Sequence, residues 1–314
     1  MNLVEYSKVS QPPIFILGCP RSGTLLISRI LGCPAKNFLI TEHRNKTGCP
    51  EDRSGILDSR LWWNIFEFES WNPKFDRPSH EAPIVDTDNL ARLKAIYENL
   101  AGDRRLVVKN PSNMVRIPLI KQMFPEAKFV FCVRNPWQTI SSISQKAIAG
   151  KVEHESFHLR TPALTALDND FLLRATHSWS EAIELYNRHK DETWITVRYE
   201  DVILNPQGEI DRLYQTLGID DDRAKWTAAQ LPRQPERNYF AVKKLYDTSP
   251  FKAEIDALLA RSCQNSSYSP GFETLNVSGL RYWREQLSAR QILKVAQRIV
   301  VKQFSRSKKA VTDS

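Results

Sequence analysis

The sequence predicts an α/β fold in which a central parallel sheet is flanked by helices, giving three layers. Three observations carry this expectation: short apolar runs recur along the chain, each ends at a Gly- or Pro-containing turn, and helix-period segments alternate with them. Strands buried on both faces of a parallel sheet are continuously apolar rather than alternating, and these runs have that character.

The first element lies in PPIFILGCPRSGTLLISRIL, which joins a strand-length apolar run to a Gly/Pro/Ser turn and then to a helix-period segment. Two further strands are predicted in RRLVVKN (Arg104 to Asn110) and AKFVFCVRN (Ala127 to Asn135), each halted by the proline that follows, Pro111 or Pro136. Between them, Met114, Ile117, Ile120 and Phe124 recur at helical spacing and predict a crossover helix over Met114 to Phe124, interrupted by Pro118. A last strand is predicted over Thr193 to Val202, followed by the amphipathic helix EIDRLYQTLGI, which should stop near Gly218. Residues 43–89 and 149–169 have little periodicity; the first contains the aromatic cluster Trp62, Trp63, Phe66, Phe68 and Trp71, and the second resembles a long loop or lid.

Composition narrows the class. The 314 residues are 41% hydrophobic, 10% aromatic and 25% charged, an ordinary globular balance that excludes collagen-like and low-complexity chains. No apolar stretch reaches the length of about 18 residues needed to cross a bilayer, and MNLVEYSKVSQPP has neither a basic nor an apolar leader region. A cytoplasmic protein is expected. The five cysteines, Cys19, Cys33, Cys49, Cys132 and Cys263, are odd in number and lack C-x-x-C spacing, which argues against a disulfide framework or a zinc site and for a reducing compartment. The net charge of +8 is concentrated after residue 280, where nine basic residues face two acidic ones. A single domain over residues 1–288 and a basic amphipathic helix and tail over 289–314 are therefore expected, the tail being a solvated surface or a peripheral contact to an anionic membrane.

Gly18-Cys-Pro-Arg-Ser-Gly23-Thr24 lies between a strand and a helix, where backbone N–H groups and the positive helix end can hold an anion, so the fold is expected to be P-loop-like. A nucleoside-triphosphatase loop would place Lys and then Ser/Thr after its second glycine, but Thr24 and Leu25 occupy those positions. Arg21 supplies a cation within the loop instead.

Pro20-Arg-Ser-Gly-Thr24 resembles the 5′-phosphosulfate loop of sulfotransferases that use 3′-phosphoadenosine 5′-phosphosulfate (PAPS). The resemblance extends through Lys109-Asn-Pro-Ser-Asn113, FPEAKFVFCVRNPWQTISS, Val197-Arg-Tyr-Glu-Asp201 and Gly279-Leu-Arg-Tyr-Trp-Arg284, most nearly to bacterial enzymes related to the tyrosylprotein and heparan types. It implies that Pro20, Arg21, Ser22, Gly23, Thr24 and Leu25 line the phosphosulfate site, that Arg134 and Ser142 hold the 3′-phosphate, that Tyr199 packs near the adenine, and that Ser278 and Gly279 form the last donor-binding turn. No metal is implied. An arginine at the carboxyl end of a parallel strand points into the ligand crevice, and a hydroxyl about two helical turns later can face the same phosphate.

Sulfuryl transfer builds charge on the oxygen leaving with the nucleotide, and Arg21 and Lys109 are the cations expected there. The acceptor hydroxyl needs a base; Glu42 in LITEHR is the leading candidate, with His43 and His80 as alternatives. The Lys-x-His of cytosolic aryl and steroid enzymes is replaced by Lys109-Asn110-Pro111, and Leu25 stands where close relatives often carry threonine. The aromatic cluster from Trp62 to Trp71 is a candidate acceptor pocket, equally explicable as core. The rival expectations are a P-loop phosphotransferase or kinase, and a non-catalytic nucleotide-binding homologue that docks to anionic surfaces.

Overall fold

The computed structural model describes residues 11–41, 58–66, 87–148, 171–220, 245–264, 266 and 268–271. By contacts the chain divides into two compact units, Met1–Arg233 with Arg237–Pro270, and Gln234–Glu236 with Gly271–Ser314. The fold described below is that of the first.

Five parallel strands form one sheet: β1 (Ile14–Leu17), β2 (Asn37–Thr41), β3 (Arg105–Lys109), β4 (Lys128–Val133) and β5 (Trp194–Arg198), in the spatial order β2-β3-β1-β4-β5. The described helices are α1 (Thr24–Gly32), α2 (Asp58–Phe66), α3 (Thr87–Ala101), α4 (Ile117–Met123), α5 (Pro136–Ile148), α6 (Phe171–His189), α7 (Tyr199–Leu204), α8 (Pro206–Leu217) and α9 (Lys252–Gln264). β1 is buried at all four positions, as its unbroken IFIL run predicts, whereas edge strand β5 alternates.

One face of the sheet is sealed by Ile27, Ile30 and Leu31 of α1 with Ile210, Leu213 and Leu217 of α8, packed on Ile14, Ile16, Val107, Val130 and Val197. On the other, Phe15 stacks on Phe129 and meets Phe124, and Phe131 stacks on Tyr186 of α6 at 4.2 Å between ring centroids. Arg105 at the start of β3 stitches the layers together, its Nε donating to Pro12 O (2.7 Å) and its Nη1 to Leu217 O (2.5 Å). Burial lowers that guanidinium to about 10. The second of these bonds satisfies a carbonyl of the last α8 turn, and Gly218, at φ 65°, ends the helix where the sequence predicts.

Several elements depart from the sequence expectations. The stretch predicted as one crossover helix is a 3-10 turn, Pro111–Arg116, followed by α4; Pro118 sits in the first turn of α4, where its missing N–H costs no intrahelical bond. The last predicted strand ends at Arg198, and Tyr199 opens α7. Cys33 is disulfide-bonded, against the expectation drawn from the odd number and spacing of the cysteines; its partner lies outside the described residues. Cys19, Cys132 and Cys263 are free and buried. Among the described residues no helix is long and apolar enough to cross a membrane.

The chain leaves β1 toward β2 on one side of the sheet and leaves β4 toward β5 on the other, so a topological switch point falls between β1 and β4. Ligand crevices of open α/β sheets form outside the carboxyl ends of the strands at such a point.

Candidate functional site

The loop after β1 has an unusual backbone. Gly18, Arg21 and Gly23 have φ of 141°, 73° and 101°. Left-handed residues flank Ser22 on both sides, a backbone of the kind that can form an anion-binding concavity. The turn is closed from within: Ser22 N–H and Ser22 Oγ both donate to Cys19 O, at 3.1 and 2.6 Å. Gly23 is the N-cap of α1 and has no side chain with which to cap its first amides. A Cβ at Gly23 would stand 2.5 Å from Tyr199 Cδ2, so the loop lies directly against that ring. Pro20, Ser22 and Thr24 are buried, and Leu25 is half-buried.

Two arginines and a serine meet at this loop. Arg21 Nε donates to Ser142 Oγ at 3.0 Å, and Arg134 Nη1 donates to Arg21 O at 3.3 Å. The Arg134 guanidinium lies 4.3 Å from the centroid of the Tyr199 ring and donates through Nε to Gln138 Oε1 at 2.9 Å. Arg134, after β4, Ser142, in α5, and Tyr199, at the start of α7, are thus brought to the loop after β1. Arg21 is exposed, yet desolvation by the surrounding segments and then the like charge of Arg134 lower its pKa, while Tyr199 opposes the shift. Adjacent guanidiniums that repel each other are an electrostatic arrangement suited to an anion with more than one charge.

The Arg134 backbone is fixed too. Trp179 Nε1 in α6 donates to Arg134 O at 3.1 Å, and Asn135 N–H donates to Glu200 Oε1 in α7 at 2.8 Å. Both atoms belong to one peptide unit, which is therefore held from two helices. Trp179 and Glu200 were not among the residues expected from sequence.

Lys109 ends β3, opposite Ile16 of β1 and Thr41 of β2, and is 4% exposed. Its charge reaches Cys132 on β4, whose thiol burial pushes far up and Lys109 draws partly back. The lysine therefore stands at the same carboxyl edge as the loop. Glu42, the next residue after Thr41, lies outside the described residues, as do His43, His80, Ser278 and Gly279.

Beside Lys109 is a buried polar cluster for which the sequence offers no local signal. Asp58, the first residue of α2, is fully buried. Its Oδ2 accepts from Asn110 Nδ2 (2.7 Å) and Asn113 Nδ2 (3.2 Å), and its Oδ1 accepts from the Tyr97 hydroxyl. Arg116 Nη1 lies 4.0 Å away and donates to Asn113 Oδ1 at 3.1 Å. Burial pushes the Asp58 carboxyl up, against the pull of Arg116, Tyr97 and the two asparagines. Asn110 also accepts from Ser112 N–H at 3.0 Å, so the turn after Lys109 is held at both ends of one amide.

At Trp62 the structure favours the core over the acceptor pocket, the two readings the sequence leaves open. Trp62 is 1% exposed, with the Arg116 guanidinium 4.7 Å from its ring centroid, and fills the interior beside Asp58 rather than lining an open pocket. The side chains of Trp63 and Phe66, and residues Phe68 and Trp71, lie outside the described residues.

A family model described as the sulfotransferase family matches residues 12–223, two thirds of the chain. The chain is 24% identical over 300 residues to the omega-hydroxy-beta-dihydromenaquinone-9 sulfotransferase Stf3 of Mycobacterium bovis, covering 81% of this chain and 73% of that protein. It is 29% identical over 225 residues to protein-tyrosine sulfotransferase A of Caenorhabditis elegans, covering 68% of this chain and 51% of that one. In fold, the crystal structure of sulfotransferase STF9 from Mycobacterium avium is similar at a TM-score of 0.54 and 14% identity, covering 82% of this chain and 78% of that one.

Proposed function

The chain belongs to the sulfotransferase family, and from that premise we propose that it moves the sulfuryl group of PAPS to an acceptor hydroxyl by in-line transfer, without a metal. The observation that carries the reading is the pair of hydrogen bonds by which Arg21 reaches Ser142 and Arg134 reaches Arg21 O, joining three distant segments at one end of the sheet.

In this reading Arg21 to Thr24, with Pro20 and Leu25 at the margins, hold the 5′-phosphosulfate, through the Arg21 side chain and the amides at the start of α1. Arg134 and Ser142 hold the 3′-phosphate, Tyr199 packs near the adenine, and Ser278 and Gly279 supply the last donor-binding turn. The acceptor oxygen attacks sulfur as the bond from sulfur to the 5′-phosphate oxygen breaks. The bonding pair leaves with that oxygen, where Lys109 and Arg21 stabilise the charge. Glu42 takes the acceptor proton. The products are a sulfate ester and 3′,5′-bisphosphoadenosine. The two relatives described above act on an omega-hydroxy-beta-dihydromenaquinone-9 and on protein tyrosine, so a hydroxyl is the acceptor class carried over, and no narrower one.

Thermal unfolding in the presence of nucleotide tests the donor assignment, because a ligand bound only by the folded state raises Tm by mass action. 3′,5′-Bisphosphoadenosine is expected to raise Tm in EDTA, and Arg134→Ala to weaken its binding about tenfold or more, the cost of a charged contact left unmade. Stabilisation by ATP with magnesium, and none by the bisphosphate, would replace this reading with the phosphotransferase one.

A further inference from the structure

Glu200 accepts two hydrogen bonds from opposite directions. Oε1 takes Asn135 N–H at 2.8 Å, fixing the peptide that follows Arg134. Oε2 takes the Tyr268 hydroxyl at 2.6 Å, from the stretch after α9. A second bond secures the same stretch: Trp137 Nε1, in the first turn of α5, donates to Pro270 O at 2.7 Å. The Arg198 guanidinium lies 5.0 Å from the Tyr268 ring centroid. Tyr268 is half-buried, and burial together with the Glu200 charge pushes its phenol far up, so the hydroxyl keeps its proton and acts as the donor to a carboxylate.

These contacts form a chain from residues 268–270 to the donor subsite. Tyr268 holds Glu200, Glu200 holds the peptide between Arg134 and Asn135, and Trp179 holds the other side of that peptide. The neighbour of Glu200, Tyr199, carries the Arg134 guanidinium on its ring. A carboxylate that receives two strong donors has little rotamer freedom left, so the orientation of the Arg134 peptide depends on the Tyr268 hydroxyl through one intervening group.

We propose that Glu200 and Tyr268 are positioning residues for the 3′-phosphate subsite: they aim Arg134, and they couple the segment after α9 to recognition of the nucleotide's 3′-phosphate. The proposal rests on the assignment of Arg134 to the 3′-phosphate made above. Its consequence is that loosening Tyr268, which touches no nucleotide in this scheme, lowers discrimination between nucleotides with and without that phosphate.

The test measures two dissociation constants by calorimetry on the full chain, for 3′,5′-bisphosphoadenosine and for adenosine 5′-phosphate, and follows their ratio. Arg134→Ala is expected to collapse the ratio at least tenfold. Tyr268→Phe, which deletes one hydroxyl and keeps the ring, is expected to lower it about fivefold while changing adenosine 5′-phosphate binding less than twofold. Glu200→Gln retains an acceptor for Asn135 N–H and an amide donor toward the Tyr268 oxygen, so it should recover most of the ratio lost in Glu200→Ala. General loosening of the fold would weaken both nucleotides equally and leave the ratio unchanged. A wild-type ratio in Tyr268→Phe, with the ratio collapsed in Arg134→Ala, would overturn the coupling and leave the donor assignment standing. A wild-type ratio in Arg134→Ala would overturn the donor assignment itself, and the coupling with it.

Discussion

Gly23→Ala probes the loop and its contact with Tyr199 in a single substitution. Two costs are visible in the structure. The backbone at φ 101° is one that a residue with a Cβ adopts at a cost of about 1–2 kcal/mol. The new methyl would also lie 2.5 Å from Tyr199 Cδ2, on a ring whose other neighbour is the Arg134 guanidinium, and displacing such a packed group costs about 1–3 kcal/mol. The sum is about 2–5 kcal/mol, which at roughly 2–4 °C per kcal/mol for a chain of this order of size lowers Tm by roughly 4–20 °C. Bisphosphoadenosine binding should fall as well, because the ring and the guanidinium move together. The two costs separate in a double-mutant cycle read by thermal or urea unfolding. With Tyr199→Ala already present the clash is gone and the backbone cost alone remains, so the substitutions should couple by about 1–3 kcal/mol. A Gly23→Ala protein that melts within a degree of wild type, or two substitutions that simply add, would refute the argument.

Two further outcomes are expected. Lys109→Met keeps the aliphatic bulk of a 4% exposed side chain and removes its charge, so turnover should fall about 10²–10³-fold, as for removal of one donor at a developing oxyanion, with bisphosphoadenosine affinity within about threefold of wild type; an equal loss in binding and turnover would contradict a role at the leaving oxygen. His189, half-buried at the end of α6, is held below the ordinary histidine range by burial and then by Arg188 and Lys121. The unfolded chain therefore binds its proton more readily, and stability should drop as pH falls from about 6.5, the unfolded value, through the lower folded one. His189→Gln should flatten that part of the Tm profile, and a parallel pair of curves would count against it.

The parts of the site legible in sequence were those whose chemistry is local. An apolar run, a glycine-rich turn and a helical period are adjacent in the chain, so β1, the loop and α1 could be placed without knowing the partners. Arg134 and Ser142 stand out in the sequence through the family resemblance, and the structure brings both to the loop after β1 through Arg21. Glu200 and Asp58 were not legible: their acceptor roles are fulfilled by Asn135 and Tyr268 for one and by Tyr97, Asn110 and Asn113 for the other, and nothing in YEDVILNP or DSRLWWNIF announces a carboxylate with such partners. β2 escaped because NFLIT is a five-residue run close behind a helix of similar apolarity. α6 escaped because it is largely polar in sequence and is helical through burial of Leu172, Trp179, Ile183 and their neighbours on one face. Trp62 decides between two readings the sequence leaves open, since the ring is buried in the interior with an arginine over it.

The way Asp58 fastens α2 to the exit of β3 bears on attempts to change which acceptor the protein uses. Transplanting α2 from a relative as an isolated cassette would leave Tyr97, Asn110 and Asn113 pointing at an empty position or at a mismatched side chain, and the damage would be inherited by the turn that carries Lys109. A workable chimera has to exchange residue 58 together with its four correspondents at 97, 110, 113 and 116, or keep all five native and vary only what lies outside that knot.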